Sequence, residues 1–530
     1  MIFARLVVRN SRISALVSTR QTLRRRRRGW GAELLPPMSS PSRMCANRGC
    51  ISKRRQHISR TRQPVPTTAS TASSATPTAV IDTQRSHRPR IVLAIASMGF
   101  FLITLDISIV NVALADIDHD LGGGTTLQQW VIDGYTLLFA VLLLFAGTLS
   151  DRIGAKKAVA IGIGAFALAS AGCSAAPDAA ALIAARCLQG AAAAVMLPAS
   201  MALIRETYPD TRKRASALGI WAVGGAVAGL IGQPLGGLLT TLDWRWVFGI
   251  NLPVCIAMLV LLTLVAASPR RPASFDWTGQ VLSLIGVTAL VYGLIDGGHT
   301  TFTSAKVLGA LIVAACAVAG FVYSQTRVAH PMMPLTLFRA RGVRLALPVG
   351  FAFMVGNYGN VFVVSLYLQQ HLGLTPLHAG VMFLPSAVFA IAANLTSGPV
   401  TNRLGPCLPI VAGQLAMVAG LIAALLTAQI GSPLLTAACL IPIGAGGAMA
   451  MPAVTGIVLD GVDQDLAGTA SAVFNTFRQV GGAVAIAVFG ALIANPGNFL
   501  TGMRISLGTA ALLLLITAAN STRVSGRASR

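Results

Sequence analysis

The 530-residue chain is 54% hydrophobic and only 11% charged, and its mean hydropathy is +0.70. Because a soluble domain carries about 25% charged residues, this composition excludes an ordinary soluble protein. The apolar residues form continuous segments and not short stretches of alternating polarity, which favours membrane-spanning helices of about 20 residues over a β-barrel. The net charge of +24 arises mainly at the N-terminus, where residues 1–90 contain 19 Lys and Arg against two acids.

Residues 1–90 are rich in Arg, Ser, Thr and Pro and have no apolar run long enough to span a bilayer. We expect a disordered, basic cytoplasmic tail that lies near lipid headgroups. The arginine run Arg24–Arg28 is compatible with nucleic-acid binding, but no nucleic-acid partner is expected. The first 30 residues also look like an organellar transit peptide, and starts at Met38 or Met44 are compatible with the same pattern.

Fourteen apolar segments follow this tail and are predicted to be spanning helices. Their approximate centres in chain order are Met98, Phe139, Phe166, Ala192, Ala228, Met258, Val287, Ala314, Val355, Phe389, Ala419, Ala445, Val484 and Ala511. An even number of spans places both termini on one side of the membrane. With a cytoplasmic N-terminus, the inner loops hold fourteen Lys and Arg and the outer loops hold three, as the positive-inside rule requires. The sequence therefore predicts a multi-pass protein of the cell membrane with both termini in the cytoplasm.

Three segments recur later in the chain with similar sequences. GTLSDRIG at 147–154 aligns with GPVTNRLG at 398–405, and the segments that begin at Gly190 and Ala215 recur in the same order, all at offsets of 251 to 257. This order predicts two homologous six-helix halves that rock about a central site. The predicted domains are a basic tail at 1–90, an N-terminal half at 91–268, two additional helices at 269–326, a C-terminal half at 327–519 and a basic tail at 520–530.

Four motifs carry a family resemblance. They are LDISIVNVAL at 105–114, WVIDGYTL at 130–137, GTLSDRIGAKK at 147–157 and LIAARCLQGAAAA at 182–194. Together they resemble the major facilitator superfamily, and in particular its fourteen-helix drug:proton antiporter branch, which includes methylenomycin-resistance exporters. The resemblance covers roughly residues 90–520. It implies an all-α membrane protein with the major facilitator fold, made of two six-helix halves and two extra central helices.

The fifth predicted helix contains GQPLGG, which resembles the antiporter motif of this branch. The candidate residues of the motif are Gly232, Pro234, Gly236 and Gly237. The usual pattern is Gly-Pro, two residues and Gly-Gly, so that Gln233 stands at the Pro position and Pro234 is displaced by one. The glycine spacing predicts close helix packing. The displaced proline leaves modes of coupling other than antiport open.

The charged loop after the second predicted helix is a candidate gate at the cytoplasmic face. Its residues are Gly147, Asp151, Arg152, Gly154, Lys156 and Lys157, with Arg403 in the repeated copy. We expect Asp151 near a helix N-terminus, the basic side chains against acids or lipid phosphates, and close backbone approach at the glycines. Such contacts contribute about 1 kcal/mol or less each, which suits a latch that must open. A simple topology signal is the alternative.

Asp106 is the candidate carrier of a coupled proton. It lies about 15 residues, or roughly 22 Å, into the first helix. A carboxylate there costs about 2.5–3.5 kcal/mol, so we expect Asp106 to face a wet cavity or to be protonated. Arg186 is expected to tune Asp106, and Asp133 to assist substrate entry or proton exchange. The alternatives are a structural hydrogen-bonding role for Asp106 and an exposed position at the rim for Asp133.

The ninth predicted helix is a candidate wall of the substrate pocket. Phe353, Asn357 and Asn360 follow the helical spacing i, i+4, i+7, and Tyr358 lies beside them. An apolar face with a few amides suits a broad binding site, and core packing is the alternative. Arg478, which with Gln479 resembles a recurring pair in this branch, lies within a predicted span, where an arginine is functional by default.

The sequence has no GxxxxGK[ST] loop, so ATP-driven transport is not expected. It also has no evident catalytic constellation, so we expect a carrier that is not an enzyme, uses a proton gradient and needs no cofactor or metal. The predicted function is proton-coupled efflux of small amphipathic drugs or toxic compounds by alternating access, with membrane lipids as surroundings. A proton symporter, a dedicated exporter of one metabolite and a membrane sensor that does not transport are the alternatives. No particular oligomeric state is predicted.

Overall fold

The computed structural model describes residues 88–270, 274–463 and 466–522. These residues contain fourteen helices long and apolar enough to cross a membrane. In chain order they are α1 (Pro89–Leu121), α2 (Gly124–Ile153), α3 (Ala155–Ser174), α4 (Ala179–Thr207), α5 (Arg212–Thr240), α6 (Trp246–Thr263), α7 (Trp277–His299), α8 (Ala305–Arg327), α9 (Arg341–His371), α10 (Pro376–Leu404), α11 (Cys407–Ile430), α12 (Pro433–Asp460), α13 (Ala467–Ile493) and α14 (Phe499–Ser521).

The fourteen predicted spans of a multi-pass membrane protein are thereby confirmed. The predictions for the N-terminal tail concern residues that, apart from 88–90, lie outside the described ones, and the C-terminal tail is described only as far as residue 522. The boundaries of the halves at 91–268, 269–326 and 327–519 stay predictions.

Local sequence explains where several helices begin and end. Asp178, before α4, accepts a hydrogen bond from the Ala181 amide at 2.8 Å, and Asp276, before α7, accepts one from Gly279 at 2.7 Å. Such caps satisfy amides that have no partner within the helix. Gly154 ends α2 with a φ of 91°, and Gly405 ends α10 with a φ of 81°. The two glycines occupy equivalent positions of the repeat, and both need a backbone conformation that other residues rarely adopt.

The two halves meet mainly along two helix pairs, α2 with α13 and α5 with α10, and Ser365 of α9 also donates to the Asn111 carbonyl of α1 at 2.8 Å. The additional helices α7 and α8 pack against each other, and α7 also contacts both α2 and α13. The extra helical pair therefore lies beside the junction of the two halves, where it touches one helix of each.

Contact between the halves is close at one end of the bundle. Gly237 lies near the end of α5, and a Cβ there would meet the backbone of Pro376 and Leu377 at the start of α10. Near the start of α2, Gln129 Nε2 donates to the carbonyl oxygens of Ile486 and Ala487 in α13, at 3.1 and 2.8 Å. Because successive spans alternate in direction, both contacts lie at the end of the bundle opposite Pro89 and Ser521. We call it the distal end.

Candidate substrate and proton sites

A cavity of about 620 Å³ lies between the two halves. Helices α1, α2, α4 and α5 line one side, and α9, α10, α12 and α13 line the other. Its lining reaches Met201, Thr455 and Ser471, which lie near the ends of α4 and α12 and near the start of α13, away from the distal end. A volume of this size falls within the range of about 300–1,000 Å³ that is common for small-molecule sites.

The lining combines large apolar side chains with amides. Its aromatic residues are Phe100, Phe139, Trp221, Phe353, Tyr358, Phe383 and Phe474. Its amide residues are Asn111, Gln233, Asn357, Asn394, Asn475 and Gln479. The rings of Phe100 and Trp221 stack with centroids 4.0 Å apart. Aromatic faces and scattered amides can hold an apolar body and orient a few polar groups on it.

Three of the four residues predicted for the α9 wall, Phe353, Asn357 and Tyr358, line the cavity. Asn360 does not; it is 2% exposed, and its Oδ1 has no hydrogen-bond partner among the described residues. The reason is a π-helical turn at Val355–Gly359. A π turn holds more residues than an α-helical turn, so the residues after it are rotated and Asn360 leaves the face that Phe353 occupies.

Asp106 lies on the face of α1 that points away from the cavity, since residues 100, 103, 104, 107, 108 and 111 form the lining. Its Oδ2 accepts a hydrogen bond from Arg186 Nη1 at 2.5 Å, and its Oδ1 accepts from Gln189 Nε2 at 2.7 Å and Asn251 Nδ2 at 2.9 Å. Asp106 is 0% and Arg186 1% exposed. The structure therefore does not place Asp106 against a wet cavity; an ion pair and two amides compensate its burial.

Arg186 connects the helices around this pair. Its Nε donates to the Val131 carbonyl of α2 at 2.8 Å, and its guanidinium lies 4.5 Å from the ring centroid of Tyr135 and 5.6 Å from that of Phe248. Gln189, on α4 with Arg186, donates to Ser170 Oγ of α3 at 2.8 Å. The resulting network joins α1, α2, α3, α4 and α6 within the N-terminal half.

Asp133 is fully buried, so it is not an exposed acid at the rim. Neither of its carboxyl oxygens has a hydrogen-bond partner among the described residues. One turn earlier on α2, Gln129 bonds to the backbone of α13, and one turn later Leu137 packs in a cluster with Ala483 and Ala487 of α13. Asp133 therefore lies on the side of α2 that faces the other half.

The predicted gating loop is fastened to the connection between α6 and α7. The Lys156 amide donates to Ser268 Oγ at 3.0 Å, and Lys156 Nζ donates to the Val265 carbonyl at 2.5 Å. Ser268 Oγ in turn donates to Glu206 Oε2 at 2.5 Å. A Cβ at Gly154 would lie 3.0 Å from the Ser268 carbonyl oxygen, so the close approach predicted at this glycine occurs.

The predicted loop is helical except for Gly154, which joins α2 to α3, and its other charged residues face outward. Asp151, Arg152, Lys157 and Arg403 are exposed, and the Arg152 guanidinium lies 5.0 Å from the Phe275 ring centroid. Asp151 lies in the last turn of α2 and not at a helix N-terminus, because the helix continues to Ile153. Within the described part of the chain, these four side chains form no ion pair with N···O within 4.0 Å, and a Cβ at Gly147 would meet no atom within 4 Å.

The glycines of the α5 motif lie at helix contacts. A Cβ at Gly232 would lie 2.6 Å from Ser108 Cβ, and a Cβ at Gly236 would meet the Ile109 carbonyl oxygen. Gly237 contacts the start of α10, and Pro234 lies within α5 opposite Gly380. The motif thus packs α5 against α1 and against the other half at the distal end.

A bundle of fourteen spans around a cavity between two halves defines a membrane transporter. The sequence model of the Major Facilitator Superfamily matches residues 96–486, and the chain belongs to this superfamily. It is a multi-pass membrane transporter and not an enzyme.

Three relatives carry names of resistance or export. The methylenomycin A resistance protein of Streptomyces coelicolor is 34% identical over 82% of this chain and 91% of its own length. The multidrug resistance protein Stp of Mycobacterium tuberculosis is 34% identical over 77% of this chain and 76% of its own length. The tetracenomycin C resistance and export protein of Streptomyces glaucescens is 35% identical over 77% and 76%.

Two solved structures share the fold. A D-xylose-proton symporter matches with a TM-score of 0.60 and 13% identity, over 82% of this chain and 97% of its own. A peptide transporter POT in complex with sulfate matches with a TM-score of 0.61 and 16% identity, over 82% and 95%. At these identities the likeness concerns the fold alone.

Proposed function

We propose that this transporter exports small amphipathic drugs or toxic compounds from the cytoplasm in exchange for protons. The observation that carries the proposal is the cavity of about 620 Å³ between the halves, with its aromatic, methionine and amide lining. The names of the three relatives support efflux over uptake. The proton gradient across the cell membrane drives the transport, so the proposal requires no ATP-binding site.

Alternating access is proposed as the transport cycle. The halves touch at the distal end through Gly237 and Gln129, whereas the cavity lining extends toward the end that carries the termini. The positive-inside bias of the loops favours cytoplasmic termini. With that orientation the arrangement corresponds to an inward-facing state that can receive a compound from the cytoplasm or the inner leaflet.

Asp106 is proposed to carry the coupled proton, with Arg186 as its partner. Protonation would remove the charge that holds the Arg186 guanidinium, and an arginine that contacts α1, α2 and α6 would then take a new position. Because α1 presents Thr104, Ser108 and Asn111 to the cavity on its other face, a shift of α1 would change the substrate site as well. This geometry supports a link between the proton and the substrate.

Asp133 is proposed to assist proton exchange, and the segment 147–157, in which Gly154 joins α2 to α3, is proposed to act as a latch. The carboxyl of Asp133 has no hydrogen-bond partner among the described residues and lies on the side of α2 that faces α13, across the junction that alternating access must rearrange. The latch rests on the bonds of Lys156 to Ser268 and Val265. A few bonds of about 1 kcal/mol each can be broken within a transport cycle.

Everted membrane vesicles with a respiration-generated proton gradient test the proposal. A panel of lipophilic drugs is added, and a quenched pH dye follows the gradient for the native protein, Asp106→Asn and Asp178→Asn. The last variant is the matched control, because Asn caps a helix as well as Asp and Asp178 is an exposed cap residue. We expect compounds to dissipate the gradient with the native and control proteins and at least about tenfold more slowly with Asp106→Asn.

Equal responses of the native protein and Asp106→Asn would remove Asp106 as the proton carrier. The absence of a response with every compound would contradict antiport of drugs and favour the second candidate, a dedicated exporter or symporter of one metabolite. That candidate has its own support, since two of the relatives are named for a single compound each.

A further inference from the structure

Arg478 on α13 carries a charge into the cavity. Among the described residues that line the cavity there is no Asp, Glu, Lys, His or second Arg. The lining of this cavity of about 620 Å³ therefore consists of apolar and amide-bearing side chains and one cationic group. A charge in such surroundings dominates the electrostatics of whatever binds there, because water competes less with it than at an open surface.

The contacts of Arg478 hold its stem and leave its head available. A Cβ at Gly350 would lie 2.9 Å from Arg478 Cγ, so the glycine gives room for the stem. The guanidinium carbon lies 5.8 Å from the ring centroids of both Phe353 and Phe474. Nη1 donates to Asn475 Oδ1 at 3.1 Å, and Nε is buried without a hydrogen-bond partner within the described part of the chain. Most of the five guanidinium N–H donors are thus left for a ligand.

Arg186 shows what Arg478 lacks. The Nη1 atom of Arg186 lies 2.5 Å from the Oδ2 atom of Asp106. No carboxylate oxygen of the described residues lies within 4.0 Å of a nitrogen of Arg478. Removing a cation from water without a counter-charge is costly. A ligand that brings an anionic group supplies the missing charge.

We propose that the cavity selects anionic amphipathic compounds, in which an aromatic or alicyclic body carries a carboxylate, sulfonate or phenolate. This inference rests on the proposed function and names its substrate class. Arg478 binds the anionic group, and Phe353 with the stacked pair Phe100 and Trp221 holds the body. Lipophilic cations find no carboxylate in the described lining, since Asp106 faces away and is paired.

Two fluorescent probes that differ by one anionic group test this class. They are 8-anilinonaphthalene-1-sulfonate and its uncharged parent, N-phenyl-1-naphthylamine. Binding to the purified full chain in nanodiscs is followed by energy transfer from tryptophan to the probe. Because Trp221 lines the cavity, the difference between each protein and its Trp221→Phe counterpart reports binding there and removes the signal of probe in lipid.

Arg478→Gln is expected to weaken binding of the sulfonate by about tenfold, as for loss of a charged hydrogen bond, and to leave the uncharged probe within about twofold of native. Arg478→Lys keeps the positive charge. It is expected to keep most of the preference of the native protein for the sulfonate over the uncharged probe. Arg245→Gln, which removes a cation at the distal surface, is the matched control and is expected to bind both probes as the native protein does.

Three results would overturn the assignment. They are a native protein without Trp221-dependent sulfonate binding, an Arg478→Gln variant that binds the sulfonate like native, and a variant that loses both probes to the same extent. Equilibrium binding needs no proton gradient, so anion selection can hold while proton-coupled efflux fails. Conversely, gradient dissipation by lipophilic cations alone would reject anion selection and leave proton-coupled efflux standing.

Discussion

Two arginines within the spans differ in what surrounds them. Arg186 lies in the N-terminal half with Asp106, Gln189 and the rings of Tyr135 and Phe248. Arg478 lies in the C-terminal half with aromatic rings and an amide. The first is balanced by its own protein, which suits an internal switch. The second leaves its donors open toward the cavity, which suits recognition of a ligand.

The Asp106–Arg186 pair leads to a stability prediction at the residue scale. Arg186→Met leaves Asp106 buried without its cation, and loss of one partner of a buried pair costs about 3–5 kcal/mol. Arg245→Met is the control, since its pair with Asp120 is 35% and 45% exposed and exposed pairs contribute about 1 kcal/mol or less. The free energy of unfolding in detergent should therefore fall further for Arg186→Met than for Arg245→Met. Combining Asp106→Leu with Arg186→Met should restore most of the stability that Arg186→Met removes. Equal costs for the two single variants would contradict a buried, mutually dependent pair.

At the scale of helices, glycines decide how closely α5 approaches its neighbours. Gly232 and Gly236 face α1, and Gly237 faces the start of α10. Gly236 and Gly237 lie against backbone atoms and Gly232 lies against the side chain of Ser108, so a methyl group at any of the three would overlap a neighbour. The glycine-rich end of α5 therefore fixes both the packing of the N-terminal half and its closure against the other half.

Gly237→Ala is expected to open the distal end. Its Cβ would overlap the Pro376 carbonyl and Leu377, so α5 and α10 must separate there. Spin labels on cysteines at Leu242 and His378, in a background without native cysteines, would report a longer mean distance. Gly229→Ala is the matched control on the same helix, because a Cβ there meets nothing within 4 Å. Identical distance distributions for both variants would argue against steric closure by Gly237.

The sequence predicts the spans well, because a run of about 20 apolar residues has few other stable uses. It predicts the direction of side chains less well. Thr104, Ser108 and Asn111 follow the helical spacing i, i+4, i+7 and mark the face of α1 that lines the cavity, whereas Asp106 lies on another face, so the expected wet cavity does not lie at Asp106. Asn360 leaves the predicted face because the spacing i, i+4, i+7 assumes a regular α-helix, whereas the structure has a π turn at Val355–Gly359. Gln189, at i+3 from Arg186, and Asn251, a lone amide in α6, were the polar signals that pointed to the network.

At the scale of the whole molecule, the cavity and the closed distal end belong to one arrangement of the two halves. The helices that line the cavity also form the main contacts at the junction, α2 with α13 and α5 with α10. Helix α7 packs on α2 and α13 at the same junction. Any motion that opens the distal end must therefore slide α2 against α13 and change the cavity and the surroundings of Asp133 together.

A covalent link across the distal end is expected to stop transport without preventing binding. A short bismaleimide that joins cysteines at Leu242 and His378, again without native cysteines, would keep α5 and α10 together, so the cavity can be filled only from the other end. Compounds that dissipate the proton gradient with the unlinked protein should then have no effect, while Trp221-dependent binding of the sulfonate probe persists. Each single-cysteine variant treated with the same reagent controls for modification alone. Gradient dissipation at the unlinked rate after complete linkage would mean that the halves need not separate there, and alternating access at this junction would be wrong.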